Sequence, residues 1–298
     1  MPTKFCQRLL LFALAPACLA CGADKVTWPP PTSTGQIDVR YTSNASPAVQ
    51  SAVTAAARKW TRAISKDLGA FTVGTPANYC FPGEPALDGT HRNLLLFISV
   101  EELDGQGGNL AFTEICNMSD RDILPVVSHI SLDRADLDSL VARGILFGVI
   151  MHEMGHALGF NPQSYLTKSL TGGGGTDPFF SGATARGEFA KHGAWYTGTT
   201  VPLEDDNGGL GPNDPHWRLR VFGDELMVSS LIRGFKSPLS TVTLGFFKDI
   251  GFDVDFSVAD PYEVIPLLGD NRVIPYGDLR NDLVMRTPPI FVSPAITH

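Results

Sequence analysis

No basic stripe, no membrane-length apolar run and no internal repeat occurs in this 298-residue sequence. Lys and Arg number 23 against 31 Asp and Glu, a net charge of −8. That balance argues against a phosphate-binding surface, so nucleic acid is not an expected partner. The apolar run near the amino terminus, Leu9 to Leu19, falls short of the ~20 residues that a bilayer-spanning helix needs. Charged residues make up only 18% and hydrophobic residues 43%, a globular profile and not a disordered one. A chain of this length hides roughly 75% of its unfolded surface, enough for one large domain or two small ones. Gly at 30 and Pro at 22 together exceed a sixth of the chain, so long loops are expected.

Lys4 and Arg8 precede the short apolar run, which ends in Leu19-Ala20-Cys21-Gly22. This order resembles a bacterial lipoprotein signal, with Cys18 standing where Leu is usual. Residues 1–20 are read as a signal peptide. Residues 21–36 are read as a lipid-anchor cysteine, Cys21, followed by a Pro-rich tether (VTWPPPTSTG). Ordinary cleavage near Ala20 is the alternative. The protein is expected to be exported, either anchored at an outer membrane or cell surface or secreted, and to meet a membrane only through the anchor. Once Cys6, Cys18 and Cys21 are set aside, Cys80 and Cys116 remain. In an oxidising compartment that pair reads as a disulfide, with two separate buried thiols as the alternative.

Residues 37–298 form the expected functional domain, divided into lobes 37–159 and 160–298. Strands are expected at Ile37–Tyr41, Leu94–Val100, Asn109–Cys116 and Val126–Leu132, and a helix at Pro47–Leu68. Leu137–Leu158 reads as one buried helix with a possible kink at Gly144, since apolar residues cover nearly every face. The Asn109–Cys116 strand is placed at the sheet edge, with its free side as a possible slot for an extended peptide. Beyond Gly159 regular structure is sparse apart from a helix at Ser240–Ile250. The arrangement is α+β.

His152-Glu153-Met154-Gly155-His156 lies on the buried helix. Residues four apart share a helix face, so both imidazoles can reach one ion, with Glu153 beside them as general base. A catalytic zinc needs a third protein ligand and an open position. The compact pattern HExxHxxGxxH fails, because position 162 is Pro162. His91, His129, His192, His216, His298 and Glu188 remain as possible third ligands.

HEMGHALGF together with PHWRLRVFGDELM, and later LSTVTLGFFKDIGFDVD, resembles the leishmanolysin-type metallopeptidases of the metzincin clan. The resemblance runs from about Ile37 to Tyr262. It implies a metzincin-like zincin fold with a mixed twisted sheet, two long amino-terminal helices and a loop-rich carboxy-terminal lobe carrying one helix. It implies one zinc per chain, held by His152, His156 and a third histidine displaced downstream, His216, with Met227 in a tight turn beneath the metal. The implied activity is hydrolysis of peptide bonds in extracytoplasmic polypeptides, with Glu153 passing a proton from water to the leaving amine. Residues 21–36 offer no room for a propeptide, so a cysteine-switch latency is not expected. A monomer is favoured. The competing reading is a zinc-containing surface binding protein without turnover. Asp205, Asp206 and Asp214 read as a solvated acidic loop in preference to a calcium site.

Overall fold

The computed structural model describes residues 32–33, 36–173, 177–192, 200–205, 214–232, 236–264, 275–279, 282–284 and 288–295. The expected signal peptide, Cys21 and most of the tether lie outside the described residues, as does His298. Among the described residues no helix is long and apolar enough to cross a membrane.

A mixed sheet and two helices organise the amino-terminal half. Strand β1 (Ile37–Tyr41) buries Ile37, Val39 and Tyr41 at alternate positions, as a half-exposed strand should. Ser46 caps helix α1 (Pro47–Ala63) through the Val49 N–H, and Pro47 occupies its first turn. The helix buries Val49, Val53, Ala56, Ala57, Trp60 and Ala63. It ends at Ala63, five residues earlier than expected. Ile64 is extended, and Ile64–Ser65 pairs instead with Asp253–Val254.

Strands β2 (Leu94–Glu101), β3 (Ala111–Ser119) and β4 (Pro125–Asp133) are buried almost throughout. Their near-continuous burial means that both faces of the sheet are covered. β1, β2 and β4 run parallel, while β3 is antiparallel to β4. Neighbouring residues on β4 point to opposite faces. On one face Ser128 donates to the Ala157 carbonyl of the buried helix. On the other, His129 stacks on Phe81 with ring centroids 3.6 Å apart and contacts Glu114 at 3.1 Å.

The expected Leu137–Leu158 helix is two helices, α2 (Leu137–Arg143) and α3 (Leu146–Leu158). Gly144 at φ 71° caps α2 in the left-handed region, where a residue with a Cβ is strained. The second half carries α4 (Thr241–Asp249), a short helix around Glu188 (Ala183–Phe189), and the short helices Pro162–Leu166 and Leu219–Phe222, which were not expected.

β3 is not a free edge. Strands β5 (Leu283–Val284) and β6 (Ile290–Val292) pair with it in parallel, Leu283 opposite Thr113 and Ile290 opposite Asn117. The open edge expected at Asn109–Cys116 is therefore covered by the chain's own carboxy-terminal segment.

Cys80 and Cys116 are joined, with Cα atoms 5.4 Å apart across a separation of 36 residues. The bond ties the segment carrying Phe81 to β3. Breaking it should lower stability by roughly 4 kcal/mol through loop-closure entropy. Urea-unfolding midpoints of oxidised and reduced protein should differ accordingly; coincident midpoints would count against this role.

Candidate metal centre

α3 sets His152 and His156 one turn apart, with Nε2 atoms separated by 3.0 Å. The third imidazole arrives from the stretch after Asp214. There the Glu204 N–H donates to the His216 carbonyl (3.0 Å) and the Trp217 N–H to the Met227 carbonyl (2.8 Å). Trp217 Nε1 donates to Thr243 Oγ1 on α4 at 2.8 Å. These bonds hold His216 with its ring centroid 5.3 Å from that of His152 and 5.1 Å from that of His156. All three imidazoles are buried.

A fourth group joins them. Asp282 Oδ2 lies 2.7 Å from His152 Nε2, 3.3 Å from His216 Nε2 and 3.5 Å from His156 Nε2. One ligand atom from each of the four residues falls within 4.8 Å of the others. The far ring nitrogens have acceptors of their own. Nδ1 of His152 faces the Leu226 carbonyl (2.6 Å), that of His156 the Phe160 carbonyl (2.7 Å), and that of His216 the Asp214 carboxylate (2.7 Å). In the neutral rings, with the single proton on Nδ1, every Nε2 presents a bare lone pair to the centre. Three lone pairs and a carboxylate oxygen in a dry pocket repel one another unless a cation lies among them. A tetrahedral zinc with bonds of ~2.0–2.1 Å separates its ligand atoms by about 3.3 Å, and the observed spacings bracket that figure. The donor set fits zinc.

Charge follows the same geometry. Burial lowers His152 to about 4. Burial alone would raise the Asp282 carboxyl, yet the three imidazoles, His216 first, hold it well below the usual carboxylate range. Glu153 is pushed up by burial and then by the Asp282 charge. Its Oε2 accepts from Thr113 Oγ1 at 2.6 Å, while Oε1 has no hydrogen-bond partner among the described residues. Asp282 Oδ1 is likewise without one.

Met227 packs against α3 at Gly155. A Cβ on Gly155 would come within 2.6 Å of its sulfur. The turn before it is held by Glu225, which accepts from the Met227 N–H (2.6 Å), Ser240 Oγ (2.7 Å) and Thr243 Oγ1 (2.5 Å).

The other possible ligands lie elsewhere. Glu188 pairs with Lys191, His192 packs edge-on to Tyr262, and His129 belongs to the far face of the sheet. His91 packs near Phe71. Asp205 is not part of a solvated loop: its side chain is 9% exposed and pairs with Arg218 and Arg220. Asp206 lies outside the described residues. Sequence reasoning missed Asp282, Glu225 and Thr113. The signal for Asp282 was slight, one carboxylate heading the apolar run Leu283-Val284-Met285.

A profile of the leishmanolysin family matches residues 64–266. The chain belongs to the leishmanolysin family. It is 33% identical to leishmanolysin of Leishmania donovani over 174 residues, 54% of this chain and 28% of that protein. Leishmanolysin of Leishmania major is 32% identical over 181 residues, 56% of this chain and 28% of the relative. A leishmanolysin homolog of Crithidia fasciculata is 26% identical over 196 residues, with 62% and 29% covered. The chain thus spans under a third of the length of these relatives. The family match takes in His152, Glu153, His156, His216 and Met227; Asp282 lies beyond it.

Glu225 gives this region a pH dependence. Burial raises its carboxyl to about 6, against the lowering effect of the Ser240, Thr243 and Met227 donors. The folded state therefore keeps a proton that the unfolded chain releases near 4.5. From this group, stability is greatest below the unfolded value and falls by about 2 kcal/mol as the pH rises through 6. Unfolding free energies of wild type and Glu225→Gln between pH 4 and 7 should differ by that slope, whereas a constant difference would refute it.

Proposed function

We propose that this protein is a zinc-dependent endopeptidase acting on polypeptides, with His152, His156 and His216 as the metal ligands and Glu153 as general base and acid. The observation that carries the reading is the convergence of three buried Nε2 atoms, each ring's Nδ1 facing an acceptor, beside the Glu153 carboxyl with one oxygen unpartnered among the described residues. Zinc bound there supplies the Lewis acid that polarises a scissile carbonyl and acidifies water.

The protein's own groups do the rest. The Leu226 and Phe160 carbonyls and the Asp214 carboxylate fix each imidazole's tautomer and orientation. Thr113 holds one oxygen of Glu153 and leaves the other without a partner among the described residues. On this reading Oε1 takes a proton from the attacking water and returns it to the leaving amine. Met227 serves as the Met-turn residue, supporting the imidazoles by packing and not by ligation. On this reading the segment 37–159 supplies the sheet and α3, and the segment 160–298 supplies His216 and Met227. The Cys80–Cys116 bond favours an oxidising, extracytoplasmic compartment, in keeping with an export signal at 1–20.

One observation favours a second reading, a zinc-holding binding protein without turnover. Asp282 stands where a fourth donor would close the site, as in structural zinc centres. An intact Glu153 with a free oxygen argues for chemistry instead.

Two variants decide between them. Glu153→Gln should retain one zinc per chain while peptide hydrolysis falls ~100- to 10,000-fold, because only proton transfer is removed. His216→Ala should lose metal and activity together. Undiminished turnover in Glu153→Gln, followed with a quenched peptide substrate and metal analysis, would show that another group is the base.

A further inference from the structure

We propose that the chain latches its own active site: Asp282 is a removable fourth metal ligand, and the strand it heads occupies the backbone slot of a peptide substrate on β3. This rests on the zinc-peptidase reading above and adds a regulatory ligand to it. The side-chain and backbone geometry support it independently.

Asp282 Oδ2 lies within 3.5 Å of all three Nε2 atoms, so it reaches the centre of the cluster and not one imidazole at its margin. Its other oxygen has no partner among the described residues. Among the described residues the ion-pair partners of this carboxylate are the three imidazoles, with no Lys or Arg. Facing neutral imidazoles, a buried carboxylate costs several kcal/mol. A cation held by the imidazoles offsets that cost, which makes the metal the anchor of the tail. As a fourth ligand Asp282 fills the position that the zinc-peptidase reading leaves open for water, and so displaces the water that Glu153 would activate.

The backbone acts on the same strand. The Thr113 N–H donates to the Asp282 carbonyl at 2.5 Å, and Thr113 is also the residue whose hydroxyl holds Glu153. Leu283 and Val284 then lie opposite Thr113 and Glu114. Ile290–Val292 continues along Asn117–Ser119, and the Asp120 N–H donates to the Val292 carbonyl. This is strand addition within one molecule, along the strand that runs past the imidazoles. An extended substrate needs that edge, so it and the tail exclude each other.

The test uses the full chain with cobalt in place of zinc, acetohydroxamate as the probe of an open metal position, and casein as substrate. Because both need the unlatched state, affinity and turnover are reduced by the same factor, the unlatched fraction. Asp282→Ala should therefore bind acetohydroxamate about tenfold or more tightly, gain a matching factor in casein hydrolysis and shift the cobalt visible spectrum. Asp282→Asn, which keeps the volume and loses the charge, should move the same way. Adding Glu153→Gln to either variant should abolish the gain.

If both variants retain cobalt with the wild-type spectrum, hydroxamate affinity and turnover, the latch is wrong and the peptidase reading stands. Loss of turnover in both with metal retained would make Asp282 a support of the site, which also overturns the latch. A wild-type chain that takes up no metal would sink the peptidase reading itself. A measurement on wild type covers variants that do not fold. Chelation should speed amide hydrogen exchange at Thr113 and in 282–292, and unchanged exchange would refute metal anchoring of the tail.

Discussion

Three imidazole Nε2 atoms are brought together in the dry interior, and most of the surrounding architecture follows from keeping them there. Each ring needs an acceptor on its far side, and the chain supplies three from different places. Leu226 lends its carbonyl from the turn before Met227, and Asp214 its carboxylate from two residues before His216. Phe160 reaches back to His156 only because α3 ends sharply. Gly159 at φ 135° reverses the chain there, a conformation that a Cβ would strain, and such a Cβ would lie 2.9 Å from Ile250 Cδ1. The helix stop is thus part of the centre.

The carboxy-terminal half holds its shape with little regular structure because buried side chains bond to distant backbone. Arg218 donates to the carbonyls of Leu203 and Pro178, and Trp217 to Thr243. Glu225 gathers donors from its own turn and from the start of α4. Each such group would be costly to bury unpaired and rigidifies the loops once satisfied. His216 inherits its position from this network, as His152 inherits its own from helical spacing. Glycine plays the complementary part at Gly155, where the missing side chain leaves room for the Met227 sulfur against α3.

Local periodicity explains what the sequence made legible. Alternation located β1, continuous apolar runs located β2 and β4, and four-residue spacing placed His152 and His156 on one face. Cys80 and Cys116 were readable as the even pair left once the cysteines of the expected signal segment are set aside. The misses have a common cause in sequence distance. α1 stops early because residues 64–65 pair with 253–254, and no local preference in α1 announces that partner. Gly144 was readable as a kink and not as a break, because apolar residues continue on both sides of it. Asp282 is 130 residues from His152 and has no periodic neighbour to give it away. A two-residue strand beside it carries no pattern at all.

The shortness of β5 bears on how the centre works. A ladder of two residues returns about 1 kcal/mol per hydrogen bond, less than burying a lone carboxylate costs. With neutral imidazoles and no cation the balance opposes this strand lying on β3, and with a cation the sign reverses. On the latch reading, the ion that makes the centre chemically competent is therefore the ion that closes it. Loading the metal and silencing the enzyme become a single event, and activity then depends on whatever competes with Asp282 for the fourth position. A peptide long enough to pair along β3 competes at two points, for the metal and for the Thr113 amide, and a small carboxylate competes at only one. That asymmetry lets a weak latch resist small anions while yielding to an extended polypeptide.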